Sequence, residues 1–266
     1  MTNRLRIIAA NAPVLSDLYR YFWAFPRHIA ACRGVYASCE EATAAAPKGR
    51  PFGYSQEGIA DHTNPARLTA RRNVGEFEAS DYPVLVWLAR AFQSGSSVFD
   101  LGGNVGLEYY AYRRFLRYPS SLRWVVCDLP ELCRAGRQLA KERAVTNLEF
   151  TDEFAAAEGF DILLSCGTLQ YLPQPLSIML GSLKHKPHHV IVQRTPLYDG
   201  PTYYTVQNLG YAFSPYRIQN RLELLESMTA LGYAAIDSWN DARECQIPFN
   251  PSKTVHGYHG AYFALP

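Results

Sequence analysis

Seven consecutive residues carry the clearest chemistry in the chain. Asp100–Leu101–Gly102–Gly103–Asn104–Val105–Gly106 follow the short apolar run Val98–Phe99. This reads as a strand that ends in an acid, breaks into glycines and enters a helix. Two adjacent glycines let the backbone bend sharply and approach a ligand more closely than any side chain permits. The unsatisfied N–H groups of the next helix's first turn then face the crevice. Such a turn can seat a nucleotide-like ligand, and the same glycines can equally serve a tight βα turn by geometry alone. A second supply of chemistry is Gln193 to Asn220, where Arg194, Tyr203, Tyr204, Gln207, Asn208, Tyr216 and Arg217 crowd one connection. The aromatics can stack on a sugar or ring, and the arginines can clamp a phosphate or carboxylate. Asp199, His256 and His259 are the candidate proton acceptors. Asp199–Gly200 reads equally as a turn, and a lone histidine equally as a surface or packing residue.

The elements that must position these residues follow from periodicity. A helix with one apolar face is expected over Asp81–Phe92, with Asp81 as its cap and Val84, Leu85, Leu88, Ala89 and Phe92 inward. Strands are expected at Ser97–Asp100, Arg123–Cys127, Leu148–Phe150, Asp161–Leu164 and His189–Gln193, alternating with helices over 104–117, 130–143 and 174–183. Apolar strands alternating with helices imply a parallel sheet covered on both faces. Helix Arg221–Leu231 closes at Gly232, and strands Ala234–Trp239 and Gly260–Ala264 suit an antiparallel pair at one edge. Upstream, a helix is expected from Ser16, as its cap, to Phe25. A second opens at Ser38, where Glu41 three residues on completes a capping box. Residues 47–65 read as a loop in which Phe52, Tyr54 and Ile59 suit a lid, with Asp61–His62 a weaker candidate pair. The expected division is an N-terminal helical cap over 1–80 and a ligand-binding domain over 81–266.

The 266 residues suffice for a large α/β domain with an appendage. A formal charge of +2 offers no concentrated basic face for nucleic acid. The six cysteines have no metal-like spacing and suit a reducing, cytoplasmic compartment. No run reaches the ~20 apolar residues that cross a bilayer, so no stable membrane insertion is expected. His185, His188 and His189 lack a supporting acid in sequence, and no metal is expected.

From Gly102 the dinucleotide fingerprint G-x-G-x-x-G fails, because Asn104 and Leu107 stand at its third and sixth positions. The pattern acid-x-Gly-Gly-Asn-x-Gly resembles motif I of the class I S-adenosylmethionine-dependent methyltransferases. Three further stretches stand where that family would place them: Val125–Val126–Cys127–Asp128–Leu129–Pro130, Phe150–Thr151–Asp152, and Asp161–Ile162–Leu163–Leu164–Ser165–Cys166–Gly167–Thr168–Leu169–Gln170–Tyr171–Leu172. The resemblance spans about residue 82 to the C-terminus. It implies a doubly wound, seven-stranded, mostly parallel sheet with S-adenosyl-L-methionine as cofactor and S-adenosyl-L-homocysteine as product. It assigns Asp100, Gly102, Gly103, Asn104, Gly106, Asp128, Leu129, Asp152, Ser165, Cys166 and Gly167 to the cofactor. Asp128 would accept both ribose hydroxyls, and Asp152 the adenine amino hydrogens. Gln170 and Tyr171 would enter the acceptor pocket.

The runs Arg33–Gly34–Val35–Tyr36–Ala37–Ser38, Arg194–Thr195–Pro196–Leu197–Tyr198–Asp199–Gly200–Pro201–Thr202 and Gln207–Asn208–Leu209–Gly210, with Val98–Gly103, look like a bacterial methyltransferase group associated with surface-polysaccharide gene clusters. That resemblance implies a sugar-type acceptor. In similar small-molecule O-methyltransferases a histidine base follows the fourth strand; Gln170 stands there here and cannot take a proton. The expected partners are therefore a small-molecule or glycan acceptor and a second copy of the chain as a homodimer. The expected activity is O-methylation of a sugar or sugar-containing metabolite. Its rivals are N- or O-methylation of a small secondary metabolite and a non-catalytic binding module of the same fold.

Overall fold

A computed structural model describes residues 13–51, 53 and 78–266. Phe52, Tyr54, Ile59 and the Asp61–His62 pair lie outside the described residues. In chain order the helices are α1 (Pro13–Leu18), α2 (Cys39–Ala44), α3 (Asp81–Ala91), α4 (Leu107–Tyr112), α5 (Pro130–Glu142), α6 (Leu176–Gly181) and α7 (Arg221–Ala230). The strands are β1 (Cys32–Tyr36), β2 (Ser97–Leu101), β3 (Arg123–Cys127), β4 (Leu148–Thr151), β5 (Ile162–Cys166), β6 (His189–Thr195), β7 (Leu197–Tyr198), β8 (Tyr203–Asn208), β9 (Phe213–Asn220), β10 (Ala234–Asp241) and β11 (Tyr258–Ala264). They fall into two compact units. One comprises Met1–Gln56, Pro196–Asn220 and Ala242–Gly257; the other comprises Glu57–Thr195, Arg221–Asp241 and Tyr258–Pro266.

The larger unit is built on a sheet of seven strands among the described residues, in the order β10-β11-β6-β5-β2-β3-β4. β2 pairs in parallel with β3 and β5, β3 with β4, and β5 with β6. β11 runs antiparallel to both β6 and β10. This is the doubly wound sheet with a closing antiparallel pair, the architecture of the class I methyltransferase fold. The strands are nearly all-apolar because both faces are covered, and Val98, Trp124, Val126, Ile162, Leu164 and Ile191 all belong to one buried cluster with Leu88 and Tyr112. No helix of the described residues is long and apolar enough to cross a membrane.

Three local expectations are corrected. Ser16 lies inside α1, which begins at Pro13 and continues as a π-helical stretch over Tyr19–Ala24. Ser80, not Asp81, occupies the cap position of α3; Asp81 is the first helical residue and is buried. α4 stops at Tyr112, well short of residue 117, and Phe115 beyond it is exposed. Ser38 does cap α2, its side chain accepting the Glu41 N–H at 3.2 Å.

In the smaller unit the helices at residues 13 and 39 are accompanied by a sheet of order β1-β8-β9-β7, which periodicity did not reveal. β8 pairs antiparallel with β1 and β9. Pro215 argues against a strand, yet it is tolerated because β7 pairs with β9 only at Gln219 and Asn220, so among the described residues Pro215 sits where β9 has a neighbouring strand on one side alone. Val206 and Phe213 pack with Phe25 and Ala42, and the Phe25 and Phe213 rings stack at 5.2 Å. Asn208 ties this unit together: its Nδ2 donates to Phe25 O at 2.6 Å, and its Oδ1 accepts from Gly210 N at 2.7 Å and Arg50 Nη1 at 3.3 Å. Asn208→Ala removes the donor to the buried Phe25 carbonyl and the acceptor of the Gly210 N–H, and should cost about 1–3 kcal/mol. A urea midpoint unchanged from wild type would show that these bonds are not needed.

Candidate functional site

The glycine turn sits at the carboxyl end of β2, the edge of a parallel sheet where ligands bind. Gly102 has φ +78° and donates its N–H to Cys127 O at 2.8 Å. A Cβ there would both strain the backbone and overlap the Thr168 side chain. A Cβ on Gly103 would run into the Asp100 carboxylate. Gly106 and Leu107 both direct their N–H groups to Gly103 O, at 2.9 and 3.1 Å, and so open α4. Asp100 itself is fully buried and accepts the Trp124 indole N–H at 3.1 Å, so the acid backs the turn.

Asp128 ends the neighbouring β3 and is clasped by main chain. Its Oδ2 accepts Asn104 N–H at 2.8 Å and its Oδ1 accepts Leu129 N–H at 2.8 Å. Asn104 offers its N–H from a left-handed conformation, φ +56°, with its own Oδ1 accepting the next N–H from Val105 at 2.9 Å. Each carboxylate oxygen has a second lone pair, so Asp128 has the capacity to accept two further hydrogen bonds. Burial pushes the Asp128 carboxyl up, and the Glu108 carboxylate adds to this, while the two N–H donors oppose it. Asp152 follows β4 and is exposed. The neighbouring thiol of Cys127 is pushed up to about 12 by burial and is a packing group, not a nucleophile.

After β5 the chain turns tightly against β2 and β6. Ser165 Oγ donates to Leu101 O at 3.1 Å, and Gly167 N–H to Gln193 O at 2.8 Å. Gln170 Nε2 folds back onto Gly167 O at 2.8 Å, so this buried amide closes the turn. Burial, and then the Glu108 carboxylate, push the Cys166 thiol well up. Tyr171 donates its backbone N–H to Thr168 O at 2.9 Å.

A buried polar cluster adjoins this turn. Arg194 has φ +56°, a conformation that a non-glycine residue adopts only when its surroundings hold it there. The twist carries its guanidinium to Asp81 Oδ1 at 2.7 Å, with Glu108 Oε1 at 3.8 Å from its other terminal nitrogen. Tyr112 Oη donates to the same Asp81 oxygen at 3.2 Å and lies 3.9 Å from Cys166 Sγ. Gln193 Nε2 reaches Asp81 Oδ1 at 3.1 Å and Ser80 Oγ at 3.2 Å, and Ser80 donates to Asp241 at 2.6 Å. The terminal nitrogens of Arg194 thus face the protein's own carboxylates. The roles of Asp81, Glu108 and Gln193 in this cluster went unnoticed in sequence because 31 to 113 positions separate the partners, and no local pattern marks a tertiary ion pair.

The remaining acceptor-side residues belong to the smaller unit. Tyr203 and Tyr216 are buried, and Tyr203 Oη donates to Lys253 O. Tyr204 lies opposite Arg217 in the β8–β9 register, and Gln207 opposite Ser214. Burial lowers the Arg217 guanidinium's affinity for its proton, and Tyr204 works against that. Asn208 is consumed by the bonds described above. Asp199 stands in the turn between β7 and β8. His256 is exposed, 3.9 Å from Glu244. His259, in the larger unit, takes a hydrogen bond from Arg221 Nη2 at 3.1 Å on Nε2; a guanidinium only donates, so that nitrogen's lone pair is occupied. His185 does have an acid, Glu158 at 2.8 Å, contrary to expectation, but both are exposed. Among the described residues no three His, Cys, Asp or Glu side chains are placed to hold a metal ion.

No protein-family model matches the sequence, and no curated protein matches it. Solved structures do. The PH0226 protein from Pyrococcus horikoshii OT3 aligns with a TM-score of 0.51 at 13% identity, over 77% of this chain and 99% of that one. The 1,6-didemethyltoxoflavin-N1-methyltransferase from Burkholderia thailandensis, solved with S-adenosylhomocysteine, aligns at 0.48 and 19% identity over 83% and 92%. Magnesium protoporphyrin IX methyltransferase from Synechocystis PCC 6803 aligns at 0.47 and 13% identity over 78% and 98%. At 13% identity the likeness to the PH0226 protein concerns the fold alone.

Proposed function

We propose that this chain is an S-adenosyl-L-methionine-dependent methyltransferase acting on a small molecule. The observation that carries the reading is the pairing of two features: a glycine turn with no room for a Cβ at Gly102 or Gly103, and the Asp128 carboxylate beside it, oriented by Asn104 and Leu129 N–H groups. Gly102, Gly103, Asn104 and Gly106 would line the cofactor's crevice, Asp128 would receive its ribose hydroxyls, and Asp152 its adenine amino group. Ser165, Cys166 and Gly167 would pass beneath its methionine part. When bound, the cofactor supplies a methyl group on a positively charged sulfur that a nucleophile can displace in line. The protein's task is then to hold the acceptor atom ~3 Å from that carbon, which accounts for much of the rate. Six free cysteines support a reducing, cytoplasmic setting.

Within this reading the acceptor is a hydroxyl on a sugar or sugar-containing metabolite, supported by the polysaccharide-group resemblance of residues 33–38, 194–202 and 207–210. Transfer to nitrogen is a second reading, favoured by one observation: the amide of Gln170, whose Nε2 is spent on Gly167 O, offers no base. Calorimetry with S-adenosylhomocysteine tests the cofactor, and no heat at millimolar ligand would leave only a non-catalytic module of this fold. For the acceptor atom, Asp199→Asn, His256→Ala and His259→Ala should between them include one variant slowed about 10²-fold or more if a hydroxyl must lose its proton. An amine acceptor leaves all three nearly fully active.

A further inference from the structure

The segment that begins at α1 turns its largest apolar side chains outward. Of the thirteen large apolar side chains that stand exposed among the described residues, six fall within residues 14–29: Val14, Leu15, Leu18, Phe22, Trp23 and Ile29. Phe22 and Trp23 are 66% and 55% exposed. Val14, Leu18 and Phe22 recur about one turn apart through α1 and the π-helical stretch, so they share a face, with Leu15 beside them. The inward side of the segment is already satisfied. Ala24 and Phe25 are buried, and Phe25 packs with Ala42, Val206 and Phe213 in the core of the smaller unit. The outer face adds nothing to that core.

Phe249 extends this surface. It is 46% exposed at φ +62°, a backbone conformation that a bulky residue adopts only when its surroundings hold it there. Its N–H is held by Asp17 Oδ2 at 2.9 Å, and its ring lies 5.6 Å from that of Tyr21, which in turn meets Phe22 at 4.9 Å. The charge around the face is of one sign. Arg20 and Arg27 are exposed, Arg27 lying over the Trp23 ring at 4.1 Å. Arg33 sits over the Tyr21 and Phe25 rings at 4.8 and 4.4 Å. Asp17 is occupied by Phe249 and stands 3.9 Å from Arg20. It is the single acid of residues 1–33, which hold five arginines, whereas the other 233 residues hold 21 basic and 23 acidic ones. The basic excess of the whole chain thus lies in this segment.

An apolar face with aromatic rings at its edge and arginines around it fits the boundary between lipid headgroups and acyl chains, where Trp and Tyr sit and arginine reaches phosphates. A second copy of the same face is a poor match, because it would bring Arg20 and Arg27 against their counterparts. We propose that residues 14–29 seat the smaller unit on an anionic phospholipid bilayer, with Val14, Leu18 and Phe22 dipping below the headgroups and Arg20 and Arg27 meeting lipid phosphates. The segment lies in the plane of the surface, since two helical stretches of six residues each are too short to cross. The proposal goes beyond the methyltransferase reading and does not depend on it.

The test sediments the full chain with vesicles of phosphatidylcholine alone and of phosphatidylcholine with about 30% phosphatidylglycerol, at low salt. The proposal expects binding to the mixed vesicles at least about tenfold tighter than to the neutral ones, weakening as sodium chloride is raised. Arg20→Gln with Arg27→Gln should weaken binding to the mixed vesicles about 30-fold, or about fivefold for each arginine at the lipid surface. Leu18→Ser with Phe22→Ser should weaken it about tenfold or more. Phe115→Ser, at an exposed apolar residue of the larger unit, should leave it unchanged. Thermal melting followed by circular dichroism checks that each variant folds, and the exposed arginine pair decides the matter should the apolar pair prove unstable. Absence of binding to the mixed vesicles overturns the proposal, as does equal affinity for neutral and mixed vesicles or wild-type affinity in a folded double variant. Self-association in sedimentation velocity that Leu18→Ser with Phe22→Ser abolishes, without vesicle binding, assigns the face to a second copy and also overturns it.

Discussion

Arg194→Met should destabilise the larger unit by about 3–5 kcal/mol, the usual consequence of removing one partner from a buried ion pair. The guanidinium is 2.7 Å from Asp81 and 3.8 Å from Glu108, and both acids are almost fully buried. Methionine fills a similar volume, so the loss comes from stranding carboxylates away from water and not from a cavity. The reverse substitution of the acids sharpens the test. Arg194→Met combined with Asp81→Asn and Glu108→Gln leaves no buried charge at these three positions, and should recover most of the stability, because replacing a whole buried ionic set is often neutral. Asn at 81 still offers an oxygen to Tyr112 and Gln193. Arg194→Lys should fall between, since an ammonium keeps the charge but loses the forked geometry that spans two acids. Urea denaturation read by tryptophan fluorescence measures all three. A single-variant loss below about 1 kcal/mol would mean that the pair is effectively solvated.

Gly103→Val should weaken S-adenosylhomocysteine binding by more than about 100-fold, equivalent to about 2.7 kcal/mol. The backbone at Gly103 is not left-handed, so the objection to a side chain there is steric: its Cβ would occupy space taken by the Asp100 carboxylate. Asp100 is fully buried and bonded to the Trp124 indole, so the turn must shift to make room, and the crevice closes or moves away from Asp128. Overpacking of this kind also costs about 1–3 kcal/mol in stability. Gly181→Ala provides the contrast. There a Cβ meets only Leu231 Cδ2 at 3.7 Å, an ordinary contact, and the residue is helical, so the change should be neutral or stabilising and leave ligand affinity intact. Equal ligand affinity in Gly103→Val and wild type would remove the glycine turn from the site.

Several elements were legible in the chain because their causes are local. Strand Arg123–Cys127 lies where expected to the residue, and the others of the larger sheet differ by one or two residues at their ends. An apolar run buried on both faces and bounded by turns leaves little freedom in where it begins and stops. The capping box at Ser38–Glu41 is equally local. The small sheet was harder to see. Tyr203–Tyr204–Thr205–Val206 and Tyr216–Arg217–Ile218 carry the aromatic and β-branched residues that favour strands. Yet their polar neighbours and Pro215 resemble a connection, and the partner strand β1 lies about 170 positions earlier at Cys32–Tyr36.

The same division runs through the site. The order of acids and glycines along the chain, Asp100, Gly102, Gly103, Asn104, Gly106, Asp128 and Asp152, carries the family resemblance on which the proposed cofactor rests, and each lies at or beyond the end of a strand whose place follows from alternation with helices. Side chains that meet across the fold obey no such rule. Sequence presents Arg194 as a spare cation, Asp81 as a helix cap and Glu108 as one acid in a first turn. Only tertiary structure brings them together, through a single left-handed residue at the end of β6. It thereby commits the Arg194 guanidinium to two of the protein's own carboxylates. Features arranged along the chain are readable in sequence, whereas side-chain clusters arranged across it are not.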